Sequence, residues 1–158
     1  MTFRPLEGVD LRGKRALVRV DFNVPMKDGA VADDTRLRAA LPTIERLRSA
    51  GAKVILMAHF DRPKGRVVPT MSLAPIVASL SRLLGCDVAF ATDCVGDHAA
   101  QAISRMADGD VLLLENLRFH AGEEAVPALP WRARANTHGT RGCTIGPWCS
   151  TNRIWSQP

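Results

Sequence analysis

No apolar run in this 158-residue chain approaches the length of about eighteen that crosses a bilayer as a helix, so no membrane partner is expected. The opening stretch carries charge with no apolar segment behind it. A secretory signal is therefore not expected, and a cytoplasmic location is the default. Cysteine is sparse: Cys86, Cys94, Cys143 and Cys149 are the whole set, and no two stand at CxxC spacing. They read as reduced thiols rather than a disulfide framework. His138 with Cys143 and Cys149 has no regular ligand spacing, and no metal site is expected. The chain also lacks GxxxxGK[S/T], GxGxxG, GxSxG and HExxH, so it offers no Walker cradle, dinucleotide fingerprint, nucleophile elbow or zincin helix. Its one Gly-Lys pair, Gly13-Lys14, precedes the first strand, where a phosphate loop would not lie.

What is present suits one globular domain, with 46% hydrophobic and 23% charged residues. The net charge of +5 would suggest nucleic acid if it formed a stripe. It does not. Up to Glu124, sixteen acidic residues face seventeen Lys and Arg, a balance of +1; Arg132, Arg134, Arg141 and Arg153 supply the remaining +4 singly. No nucleic-acid partner is expected.

The same count marks a boundary. Residues 125–158 hold no acid and no lysine, yet carry all three tryptophans and four prolines, without a period of 2 or 3.6. A structured extension with aromatic anchors, a disordered tail and an out-of-frame translation all fit that composition.

Before the boundary, four short apolar runs read as strands: 16–20, 54–58, 88–91 and 111–114. Amphipathic stretches at 35–50, 72–84 and 96–106 read as helices between them. The first has Leu37, Leu41, Ile44 and Leu47 on one face, Asp33 and Asp34 as caps, and Gly51 as its stop. The second ends at Gly85 and the third before Asp108-Gly109. The order β-α-β-α-β-α-β predicts a Rossmann-like, three-layer α/β fold with a parallel sheet.

Such sheets bind ligands beyond the carboxyl ends of their strands. The first strand there runs into Asp21-Phe22-Asn23, the second into His59-Phe60-Asp61-Arg62, and the last into Glu115-Asn116-Leu117-Arg118. Arg36 opens the helix after the first loop. Each arginine alone reads as a solvated surface charge. Three of them with a histidine, all after strand ends, read as a site for phosphate or carboxylate, which the guanidinium fork grips with paired hydrogen bonds. Asp21 fits an anion site only if it holds an arginine or accepts from a substrate hydroxyl, and Asn23 also suits a hydroxyl. His59 fits a loop-capping role as well as a ligand role. His98 and His120 show no partner arrangement that supports catalysis or metal binding, while Glu7 and Asp10 read as surface residues.

The strings Val18-Arg19-Val20-Asp21-Phe22-Asn23-Val24-Pro25, Asp33-Asp34-Thr35-Arg36, His59-Phe60-Asp61-Arg62-Pro63-Lys64-Gly65 and Leu113-Leu114-Glu115-Asn116-Leu117-Arg118-Phe119 closely resemble phosphoglycerate kinase. So do Leu41-Pro42-Thr43-Ile44 and Gly51-Ala52-Lys53-Val54. The resemblance runs in order to Glu124. It implies that 1–124 are an incomplete N-terminal, substrate-binding domain of a two-domain kinase. That kinase moves a phosphoryl group between 1,3-bisphosphoglycerate and ADP in glycolysis.

By motif, Asp21, Phe22, Asn23, Arg36, His59, Phe60, Asp61, Arg62 and Arg118 would contact 3-phosphoglycerate, and Arg36 would also be the catalytic residue that stabilises the transferring phosphoryl group. Mg-ATP or Mg-ADP is implied for the family, whose nucleotide domain has no counterpart in this chain. A monomer is expected. Positioning and charge stabilisation suffice for such a transfer, so a basic site without a nucleophile is chemically reasonable.

The chain departs from the family pattern twice. The usual second loop, Ser-His-Leu-Gly-Arg-Pro, here reads Ala58-His59-Phe60-Asp61-Arg62-Pro63. A carboxylate at Asp61 is expected to weaken the binding of an anion. After Glu124 the family's next helix, strand and substrate arginine are not recognisable, which favours the out-of-frame reading of 125–158. Two functions follow as alternatives: a phosphoglycerate kinase, or a catalytically inactive fragment that keeps part of an anion site.

Overall fold

The computed structural model describes residues 8–124 and the backbone of 153–156. Its elements are β1 (Arg15–Arg19), β2 (Met26–Lys27), β3 (Ala30–Val31), α1 (Thr35–Ser49), β4 (Lys53–Met57), α2 (Ala74–Leu84), β5 (Val88–Ala91), α3 (Gly96–Ser104), β6 (Val111–Leu114), α4 (Ala121–Glu124) and β7 (Arg153–Ser156). Single 3-10 turns at Pro69–Met71 and Leu117–Phe119 precede α2 and α4.

The sheet order is β5-β6-β4-β1-β7. The first four strands are parallel, as their continuous apolar runs require when both faces are covered. β4 shows the packing. Val54 and Leu56 point into a core shared with Leu37, Ile44 and Leu47 of α1 and Ile76 and Leu80 of α2. Ile55, between them, points to the other side, where it meets Leu112, Leu114 and Ala99 of α3. Helices thus cover both faces, and the three-layer α/β expectation holds.

The strand and helix positions read from the sequence agree to within two residues at most ends. The third helix stops at Ser104, and Met106 instead packs as a buried residue of the connecting turn. Two details differ more. Asp34 occupies the cap position of α1 but caps nothing; its carboxylate grips Arg38 at 2.8 and 3.0 Å. Asp33 satisfies the helix start instead, accepting from the backbone N–H and the hydroxyl of Thr35. The β2–β3 hairpin was not anticipated, although Asp28-Gly29 is a strong signal for a tight turn: both residues have positive φ, 52° and 76°.

β7 pairs antiparallel with β1, with Val18 opposite Ile154, and so closes the β1 side of an otherwise parallel sheet. Residues 125–152 and 157–158, with His138, Cys143 and Cys149, lie outside the described residues, as does Glu7. Among the described residues no helix is long and apolar enough to cross a membrane.

Candidate anion-binding site

Parallel pairing brings the strand ends level. Arg19 stands opposite Met57, Leu56 opposite Leu113 and Ala91 opposite Leu114. Because β6 inserts between β4 and β5, the loops after β1, β4 and β6 are immediate neighbours, and the loop after β5 lies outermost. The second and third of these carry Arg62 and Arg118, and Arg36 stands in the first turn of α1, which follows the first loop and the β2–β3 hairpin.

They are laced together by hydrogen bonds. In the first loop, Asp21 accepts from Arg36 Nη1 at 2.6 Å and from the backbone N–H of Asn23. Asp21 therefore holds an arginine, one of the two conditions under which it suits an anion site. The Asn23 side chain accepts from the backbone N–H of Asp61 at 3.1 Å, joining the first loop to the second. Arg118 Nη1 donates to the Asp61 carbonyl at 2.6 Å, joining the second loop to the third. Arg36, Asp61 and Arg62 are exposed to solvent along this edge.

Phe22 and Phe60 stand apart from the polar groups. The Phe22 side chain is fully buried in the main core, and Phe60 packs against the same core. Phe22 is buried as a whole residue, and its ring anchors the Asp21–Asn23 segment to the core.

His59 is half-buried, and its Nδ1 is enclosed without a hydrogen-bond partner. Burial, then the positive charge of Arg118, holds its pKa below the ordinary histidine value. The ring is neutral at pH 7.

Asn116 was not singled out from the sequence, yet it is the pin of the site. It is completely buried, and all four of its hydrogen-bonding positions are used. Its amide nitrogen donates to the carbonyls of Phe60 (2.7 Å) and Met71 (2.9 Å), and its oxygen accepts from the N–H groups of Phe60 and Arg118. Glu115 beside it accepts from Ser72 Oγ and from the backbone N–H groups of Leu73 and Asn116. These two residues fix the second loop and the start of α2 to the end of β6. A polar pair directly after four consecutive buried residues, Val111–Leu114, was the available signal.

A second clamp is steric. Gly65 has φ 69°, and a Cβ there would lie 2.8 Å from Ala121 Cα and Cβ, so only glycine lets the second loop touch α4. Arg19, at the end of β1, reaches Glu123 at 2.5 Å and ties α4 to the first strand.

Comparison with known proteins agrees with this geometry. The family model described as phosphoglycerate kinase matches residues 6–137. The chain belongs to the phosphoglycerate kinase family.

It is 67% identical over 124 residues to the phosphoglycerate kinase of Caulobacter vibrioides (strain NA1000 / CB15N), an alignment covering 78% of this chain and 31% of that one. The Granulibacter bethesdensis phosphoglycerate kinase is 56% identical over 124 residues, again 31% of its length. The chain thus spans about a third of the curated relatives it matches. The crystal structure of the Pyrococcus horikoshii OT3 phosphoglycerate kinase superposes with a TM-score of 0.71 at 37% identity, covering 83% of this chain and 31% of that one. The Coxiella burnetii phosphoglycerate kinase gives 0.64 at 33% identity, covering 75% and 29%.

The departure at Asp61 gains a backbone explanation. Asp61 has φ 50°, in the left-handed region that glycine adopts freely and aspartate tolerates better than most residues. Its carboxylate accepts from the N–H of Arg62 at 2.8 Å. The position therefore selects for backbone freedom, and aspartate meets that demand while adding a negative charge to the edge.

Proposed function

We propose that this edge binds 3-phosphoglycerate and 1,3-bisphosphoglycerate, as the acid-phosphate half of a phosphoglycerate kinase. The carrying observation is the lacing of three adjacent loops through Asn23, Asp61 and Arg118, which makes one continuous basic edge from residues 95 positions apart in sequence, Asn23 to Arg118. In this reading Arg62 and Arg118, with neutral His59, grip the phosphate and carboxylate. Asp21 and Asn23 take the substrate hydroxyl. Arg36 stands where the mobile phosphoryl group would sit and stabilises its charge in transfer. Phe22 and Phe60 set the height of their loops from the core, and Asp61 weakens the grip on an anion.

Family membership implies Mg-ATP or Mg-ADP as the second substrate. The described residues do not suit it. The grouped cation donors among them are Asp93, Cys94 and His120, and a thiol with an imidazole is a poor set for Mg2+.

Binding without turnover by the 158-residue chain is the second half of the proposal, because the grouped cation donors among the described residues do not suit Mg-nucleotide. Calorimetric titration of the 158-residue chain with 3-phosphoglycerate tests the first half. Saturable binding that Arg36→Ala and Arg118→Ala each weaken supports it, and binding unaffected by either refutes it. ATP-dependent turnover of 3-phosphoglycerate by the purified chain would refute the second half.

The same reading takes 1–124 as the substrate-binding unit, a cytoplasmic monomer, with the sequence after Glu124 departing from the family pattern through a change of reading frame. The family match reaching residue 137 sets the limit for that change, and sequencing of the locus for a continuation in another frame decides it.

A further inference from the structure

Outside the basic edge, at the outermost loop, Asp93, Cys94 and His120 bring a carboxylate oxygen, a thiol sulfur and an imidazole nitrogen within 4.8 Å of one another. Nothing in their spacing along the chain pairs His120 with Asp93 and Cys94. The sheet does: Ala91 and Leu114 end β5 and β6 in register, so the chain at 92–94 and at 115–120 leaves the sheet side by side.

Each donor is held in place. Asp93 Oδ1 accepts from the N–H groups of Cys94 and Val95 and meets His120 Nε2 at 2.7 Å. The backbone of His120 is fixed on both sides, donating to the Leu117 carbonyl and accepting from Glu123 N–H. Cys94 packs against the smaller core. A cavity of about 90 Å³, lined by Asp93, His120, Thr92, Glu115 and Val67 among others, lies against the pair. That is room for an ion's open coordination position and its water.

We propose that Asp93, Cys94 and His120 form a binding site for a borderline-soft divalent cation, of which Zn2+ is the best match. One thiolate, one imidazole and one carboxylate make the three-protein-ligand set that Zn2+ takes when its fourth position is left to water. The same set is wrong for the harder Mg2+ and Ca2+, which prefer oxygen alone. The carboxylates of Asp93 and Glu115 line the cavity beside the site and favour a cation there.

Binding balances as a proton exchange. The Cys94 thiol proton passes to solvent and sulfur bonds the metal. The imidazole proton, held on Nε2 by the hydrogen bond to Asp93 before binding, moves to Nδ1 through solvent, so Nε2 is free for the metal and the Asp93–His120 hydrogen bond gives way to two metal bonds.

The test uses the full chain and Co2+ as a coloured stand-in. Expected is a thiolate-to-cobalt absorption band that saturates at one equivalent, disappears on addition of Zn2+, is abolished in Cys94→Ser and persists in the Cys143→Ser/Cys149→Ser double variant. Absence of the band, its survival in Cys94→Ser, or its loss in the double variant overturns the proposal. Alkylation of the unsubstituted chain, read by peptide mass spectrometry, keeps the question open to refutation if a variant misfolds. Zn2+ should slow labelling of Cys94 about tenfold relative to Cys86, because a metal-bound sulfur is a poor nucleophile, and equal slowing at both overturns the site.

Discussion

The loops after β1 and β6 each place an acidic residue within two positions of the strand end and each carry an asparagine, yet they do opposite work. Glu115 and Asn116 are buried, and their hydrogen bonds hold the backbone of Phe60, Met71 and Leu73 in neighbouring segments as well as their own loop. Asp21 and Asn23 are exposed, and each makes one contact across loops, to Arg36 and to Asp61 N–H. A buried amide with every position filled is costly to disturb, because its partners are left unpaired away from water. An exposed ion pair stabilises little and exchanges readily with a ligand. The edge is thus divided into a framework that sets distances and a working surface free to change partners.

The largest expected effect breaks the framework. Asn116→Ala orphans the N–H and carbonyl of Phe60 and the carbonyl of Met71, and should cost about 2–4 kcal/mol in urea unfolding, with anion binding lost as the second loop drifts. Arg36→Ala makes the converse case. Its partner Asp21 is exposed, so stability should change by no more than about 0.5 kcal/mol, while 3-phosphoglycerate affinity should fall about tenfold or more. Should Arg36→Ala destabilise as strongly as Asn116→Ala, the division between framework and working surface is wrong.

Asp61 sits on the border between the two, and a pair of variants separates its roles. Asp61→Asn keeps a side chain that tolerates φ 50° and removes only the charge; Asp61→Gly removes the charge and relaxes the backbone. Both should tighten 3-phosphoglycerate binding several-fold, since two like charges a few ångströms apart cost about 1 kcal/mol where bulk water screens them, as at exposed Asp61. Asp61→Gly alone should also gain stability, by less than about 1 kcal/mol. Affinity equal to that of the unsubstituted chain in both variants removes the charge from the account.

Much of this was readable in the sequence, and the reasons are local. Consecutive apolar residues at 54–58 and 111–114 announce strands buried on both faces, and Leu37, Ile44 and Leu47 mark the face of α1 that is buried. Arg36, Arg62 and Arg118 were legible because they follow strand ends, where a parallel sheet must place its ligands. Strand order was not legible. No local pattern says that β6 inserts between β4 and β5, and that insertion is what makes three particular loops neighbours. For the same reason the sequence could not separate Asn116 from Asn23, or pair His120 with Asp93: burial and long-range partners depend on which loops touch. Phe22 shows the limit from the other side. A motif places it at the site, but its ring lies in the core.

The smallest expected effect is the most specific. His59 belongs to both regions, with Nδ1 enclosed like the framework and Arg118 and Asp21 as charged neighbours. Its folded pKa lies below the ordinary value of 6.5, so the unfolded chain binds more protons in that range. The stability that His59 contributes is complete above pH 6.5 and falls as pH drops through the folded pKa. His59→Gln should flatten that part of the stability curve. Ligand then reverses the sign. An anion seated between Arg62 and Arg118 screens the charge of Arg118 and favours the imidazolium, so 3-phosphoglycerate should raise the His59 pKa. NMR titration of the ring with and without ligand measures the shift. A His59 pKa that stays in place while 3-phosphoglycerate binds would put the anion somewhere other than this edge, however well the loops are laced.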